Sequence, residues 1–172
     1  MKNQYCCLFL LAALSHISCG SNKSTSDPHP TNSIPSNSAS LKIDGVDVAV
    51  DLSKTAVNVY SQTGMLAVVI GTFDSRAQVV RLTLLEYNGK PGKITAYSPN
   101  SNSGIQLANA SASFNTFDTF NCPTVDRTFE VVEVNQDKKT LSLKFAGKVC
   151  GLNGTDQRVV SEGQLNLPYR TI

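Results

Sequence analysis

The sequence predicts an all-β protein whose body is a single antiparallel β-sandwich, or a flattened barrel, of about 8–11 short strands. Three observations carry that prediction. Apolar residues recur at every second position, most clearly in Thr140-Leu-Ser-Leu-Lys-Phe-Ala-Gly-Lys-Val149. There Leu141, Leu143, Phe145 and Val149 share one face and Ser142, Lys144 and Lys148 the other. Turn chemistry separates such runs at short intervals, as in Asp44-Gly45 and Asn88-Gly-Lys-Pro-Gly92. No stretch of the body keeps apolar residues at helical spacing over three turns.

Composition divides the chain into a leader (1–18), a polar tether that begins at Cys19 (19–40) and one β-domain (41–172). Tyr5-Cys-Cys-Leu-Phe-Leu-Leu-Ala-Ala-Leu14 follows one positive charge and is about half the length needed to cross a bilayer. It reads as the apolar core of a signal peptide. The next residues, Ser15-His-Ile-Ser-Cys-Gly20, resemble the lipobox of bacterial lipoproteins, although His16 stands where that motif usually carries Leu. The resemblance implies that Cys19 becomes the first residue and carries acyl chains, palmitate among them. Two or three such chains on one residue anchor stably where a single chain does not. The alternative is an ordinary secretory signal cleaved near Ser18. Gly20 to Ser40 is Ser, Asn, Pro, Thr and Lys with almost nothing apolar, the composition of a flexible spacer. On this reading the protein sits in the bacterial cell envelope, held to a membrane, the outer one expected, with its periplasmic or surface face open.

Five cysteines suit an exported protein once their positions are considered. Cys6 and Cys7 leave with the leader, Cys19 takes lipid, and Cys122 and Cys150 remain to form one disulfide in an oxidising compartment. The formal charge of +2 falls further when Lys2 is removed. With no basic stripe and no Trp, nucleic acid is not an expected partner.

In the body, Leu41–Ile43 and Val46–Val50 flank Asp44-Gly45 as a hairpin. Ala56–Tyr60 follows, then the turn Gln62-Thr-Gly64. Met65-Leu-Ala-Val-Val-Ile-Gly-Thr-Phe73 is apolar on both faces and predicts a central strand covered on both sides. Val79–Tyr87 alternates, with helix as the competitor because Leu84 and Leu85 are adjacent. Lys93–Tyr97 and Ile105–Leu107 are short strands, and Ala110–Thr116 is expected to pair with the latter. Phe129-Glu-Val-Val-Glu-Val134 and Thr140–Val149 form a hairpin about Asn135–Lys139, which the Cys122–Cys150 bridge would encircle. Arg158–Leu167 is the last strand, ended by Pro168.

Ile43-Asp-Gly45, the Val131–Phe145 hairpin and the ending Gly163-Gln-Leu-Asn-Leu-Pro-Tyr169 together resemble a family of small lipoproteins of Gram-negative gut-type bacteria. The resemblance runs from Leu41 to the C-terminus and implies a single β-rich, lipid-anchored domain. That family carries no established catalytic residues, so none transfers. The Cys122 and Cys150 pair is not a feature of every member.

Neither histidine, His16 or His29, lies in the body, which removes the usual general base, Ser-His triads and most zinc sites. Neither a metal nor a cofactor is expected. Asp44, Asp47 and Asp51, and separately Asp118 and Asp126, are the carboxylates a hydrolase would use; solvated turn and strand positions explain them more simply. Phe114-Asn-Thr-Phe-Asp-Thr-Phe120 spaces Phe114, Phe117 and Phe120 three apart. With Tyr97 and the Asn100–Asn102 loop they form a candidate patch for a glycan or protein partner if exposed, and core if not. The expected function is therefore a non-enzymatic binding or structural module. A lipocalin-like carrier of an apolar ligand and a carboxylate hydrolase are the alternatives.

Overall fold

Eleven strands account for the regular structure in the computed structural model, which describes residues 33–75, 77–85, 87–94, 103–109 and 117–172. They are β1 (Ser38–Ile43), β2 (Val46–Asp47), β3 (Val50–Tyr60), β4 (Met65–Thr72), β5 (Val79–Leu84) and β6 (Gly92–Ile94). The rest are β7 (Gly104–Ala108), β8 (Phe117–Asp118), β9 (Arg127–Asn135), β10 (Thr140–Cys150) and β11 (Gln157–Thr171). The only helical turn among the described residues is a 3-10 turn at Thr119–Asn121. Val79–Leu84 is a strand, so alternation prevails there over the adjacent leucines. Asp44 and Gly45 both take positive φ, 53° and 77°, the left-handed pair that a two-residue hairpin needs between β1 and β2.

The strands form one sheet closed on itself. Six of them run in the order β2-β1-β11-β10-β9-β6 and five in the order β3-β4-β5-β7-β8. The long β11 joins the two groups along one side by pairing Tyr169–Thr171 with Val57–Val59, and Cys150 of β10 joins them along the other by pairing with Asp118. The result is the flattened-barrel form of the sandwich or barrel expected from the alternation. One pairing departs from the antiparallel expectation: β11–β3 is parallel, whereas every other pairing is antiparallel. Nor does β11 stop at Pro168. Tyr169 donates its backbone N–H to Lys139 on the β10 side, so the missing N–H of Pro168 falls on the opposite edge. Along that edge β1 has ended at Ser38↔Asn166 and β3 has not yet begun. A proline is tolerated in a strand where no ladder donor is required.

One apolar cluster fills the space between the two groups, with Ile43, Leu143, Phe129 and Leu165 from the first facing Leu66, Ile70, Leu82 and Ile105 from the second. Contact across the layers is direct, since a side chain on Gly147 of β10 would approach Ile105 Cδ1 of β7 to 3.0 Å. Leu66, Val68 and Ile70 of β4 point into this core, but Met65, Ala67 and Val69 are only half-buried. β4 is therefore covered on one face, because a closed sheet has no second layer outside it.

Order also begins before Leu41. β1 starts at Ser38, Ile34 is buried, and the Asn166 side chain donates to the Ile34 carbonyl at 3.0 Å. Ser142, on the outward face and opposite Asn166, is consequently covered. Asp51, expected on a solvated face, is 8 % exposed. The reason is an interruption in β3, where Asp51 opposes Gly71 but the next paired residue is Ala56, leaving Leu52–Thr55 looped out. Asp51 holds that loop: its carboxylate accepts from the Ser53 N–H at 3.1 Å and the Ser53 hydroxyl at 2.6 Å and pairs with Lys54 at 3.1 Å. The bridge between Cys122 and Cys150 is formed, 28 residues apart in sequence, and it encloses the β9–β10 hairpin.

Candidate binding groove on the outer sheet

The outward positions of the six-stranded group carry most of the charge that alternation keeps out of the core. Pairing sets them in two rows. One runs Lys93, Glu130, Lys144, Gln164, Ser40 across β6, β9, β10, β11 and β1. The second runs Thr128, Ala146, the Ser161–Glu162 bulge, Lys42 and Asp47. Between them lies a groove of about 590 Å³, lined by residues of both rows and floored in part by Phe145 and Gly163. Its depth has a local cause. Ala146 stands on the outward face of β10 between Lys144 and Lys148, so a short side chain occupies the middle of a row of long ones.

The bulge supplies the other irregularity. Ala146 of β10 faces two residues of β11, because Phe145 pairs with Gly163 and Gly147 with Val160. The extra residue, Glu162, takes φ 51°, the left-handed region that residues other than glycine seldom occupy. Its carboxylate is held by Lys42, whose ammonium donates at 2.8 Å. That hydrogen bond is the main reason the Lys42 pKa is raised; attraction to Glu162 and Asp47 adds to it and desolvation opposes it. Lys93, Lys144 and Glu130, by contrast, have no hydrogen-bonded or ionic partner among the described residues. The groove thus presents a satisfied Lys42–Glu162 pair beside side chains of both signs that are free to meet a ligand.

The residues singled out from sequence fall elsewhere. Cys19, Tyr97, Phe114, the Asn100–Asn102 loop and the expected strand Ala110–Thr116 lie outside the described residues. Phe117 is half-buried in β8 and packs against the core, with the Arg158 guanidinium 5.5 Å from its ring centre. Phe120 is more exposed and covers Gly104, whose absent side chain would come within 2.7 Å of the ring. Arg127 lies 5.4 Å above it. Two of the three phenylalanines are therefore separated in role, one as packing and one as a half-exposed lid.

The candidate carboxylates act in the backbone. Asp44 pairs with Arg158 at 2.9 Å and accepts from the Val159 N–H at 2.9 Å, clamping the β1–β2 turn to β11. Asp118 caps the 3-10 turn by accepting from the Phe120 N–H. Hydrogen bonding to Ser53, more than any other influence, holds the Asp51 pKa below the usual carboxylate range. No three of His, Cys, Asp and Glu among the described residues are placed to hold a metal ion. Sequence reading missed the groove because its charges come from six separate strands. The legible signal was a lysine or glutamate at each outward position of Lys42, Glu130 and Lys144.

Fold and groove together define the class: an all-β protein with one continuous sheet closed into a flattened barrel and a mixed-charge groove on its outer face. Within that class, no family model, curated protein or solved structure matches the chain.

Proposed function

We propose that this protein is a lipid-anchored module of the bacterial cell envelope that binds a glycan segment in its outer groove and does not transform it. Acyl chains on Cys19 attach it to a membrane, the outer membrane in this reading. The observation that carries the binding assignment is the groove itself. It has a volume within the range of small-ligand sites, about 300–1,000 Å³, with unpartnered Lys144, Lys93 and Glu130 beside Ser40, Thr128 and Gln164. Sugar hydroxyls donate and accept at once, so they match a surface that offers both in alternation. A left-handed Glu162 at its centre costs of order 1–3 kcal/mol, strain of the kind that clusters at ligand sites.

A carrier for an apolar ligand would need a hollow interior, and the described interior is occupied by the apolar cluster. Two measurements test the proposal. Metabolic palmitate labelling and membrane fractionation of Cys19→Ser should show loss of label and release from the membrane; retained attachment would refute the anchor. Binding to an oligosaccharide array should fall about tenfold in Lys144→Ala and Gln164→Ala, about 1.4 kcal/mol. Binding by both variants equal to the parent's would refute the groove.

A further inference from the structure

Six charged side chains line the groove, Lys42, Lys93 and Lys144 against Asp47, Glu130 and Glu162. Three of each sign leave it with no net charge. Just outside the lining, Lys148 and Asp126 are again one of each sign, joined through their backbones by a hydrogen bond of 2.8 Å.

The two halves of the groove use their charges differently. In one half the charges answer each other: Lys42 pairs with Glu162 at 2.8 Å and stands opposite Asp47 in the β1–β2 ladder. In the other half they do not. Pairing sets Lys93 of β6 opposite Glu130 of β9, and Glu130 opposite Lys144 of β10, so the signs run plus, minus, plus across three neighbouring strands. None of the three has a hydrogen-bonded or ionic partner among the described residues. Neighbouring strands lie about 4.8 Å apart, so the row repeats at close to the length of one sugar residue.

This row discriminates among ligands by charge. An uncharged chain laid over it strips water from three ionised groups and returns no counter-charge. A polyanion that reaches both lysines crosses Glu130, and a polycation drawn to Glu130 lies between the lysines. Only a ligand that alternates in the opposite sense meets all three. We infer that the groove selects a zwitterionic glycan, in which an amino sugar with a free ammonium stands between two acidic sugars. The ammonium donates to the Glu130 carboxylate, and the flanking carboxylates accept from Lys93 and Lys144. Gln164, Ser40 and Thr128, on the same lining, are left for the hydroxyls. The inference rests on the reading of the groove as a glycan site and adds the charge pattern of the ligand to it.

The test is titration calorimetry on the exported full-length chain, in mildly acidic buffer that keeps the amine charged. The probe is a hexasaccharide of alternating glucuronic acid and glucosamine in four forms: unaltered, with its amines acetylated, with its carboxylates reduced to alcohols, and with both changes. The unaltered form should bind tightest and weaken with added salt, and either change should cost about tenfold in affinity. Glu130→Gln should abolish the preference for free over acetylated amine and keep the preference for carboxylate. Lys144→Gln should do the reverse, and Asp137→Asn, in the β9–β10 turn, should behave as the parent. Both groove variants keep the side-chain shape and break no ion pair, so their melting temperatures should match the parent. Equal binding of the four forms, tightest binding of the acetylated form, or preferences unchanged in both groove variants overturns the inference and leaves the glycan reading standing. Binding by none of the four overturns it as well, and the glycan reading falls with it only if the oligosaccharide array is silent too. A lysyl-glutamate dipeptide that competes as strongly as the hexasaccharide overturns both.

Discussion

At the scale of single residues, small or strained positions sit where two strands must come closer than side chains permit. A Cβ on Gly163 would lie 2.5 Å from the Phe145 ring and 2.6 Å from its carbonyl oxygen. Gly163→Ala should therefore destabilise by about 1–3 kcal/mol in urea unfolding, as overpacking does. Glu162 makes the opposite case, because its backbone is already left-handed. Glu162→Gly should be about 1 kcal/mol more stable than Glu162→Ala, since both lose Lys42 but only glycine relieves the backbone. Asp51 sets a pH dependence. Its folded pKa lies below its ordinary value, so its contribution is fully present above the usual carboxylate range and is lost as pH falls through the folded value. Asp51→Asn should flatten the acid limb of a stability-against-pH curve, and an unchanged slope would show that the loop does not depend on that charge.

At the scale of elements, the β9–β10 hairpin, interrupted by one bulge at Val132, is the segment the disulfide encloses. Reduction, or Cys122→Ser with Cys150→Ser, should lower stability by about 3.5 kcal/mol in the chain-entropy account, measurable as a shift in the denaturation midpoint. The hairpin was legible because Leu141, Leu143 and Phe145 alternate with Ser142 and Lys144, and its strands are adjacent in the chain. The bulge in β11 was not. Ser161 and Glu162 look like ordinary alternation, and only pairing with both β10 and β1 shows that one residue is surplus. Pro168 misled for a related reason: whether a missing N–H ends a strand depends on which strand pairs along that edge, and here none does.

At the scale of the whole molecule, a short parallel pairing of β11 with β3 completes the barrel on one side. Tyr169 packs against the core there, and the Ile172 N–H donates to Val59 at 2.9 Å. Removing Tyr169–Ile172 should cost about 3 kcal/mol or more, from several backbone hydrogen bonds and one aromatic contact. A denaturation curve identical to the parent's would show that closure there is dispensable. Strand content, most turns, the buried faces of β1, β9 and β10, and the sulfur pairing were determined by the sequence alone. Each depends on residues within a few positions of one another or on a count of two remaining cysteines. Closure of the sheet, the parallel seam and the charged groove were decided only in three dimensions. They arise from pairings between residues as far apart as Ser38 and Asn166, and a period of two says which face a side chain takes but never which strand lies beside it.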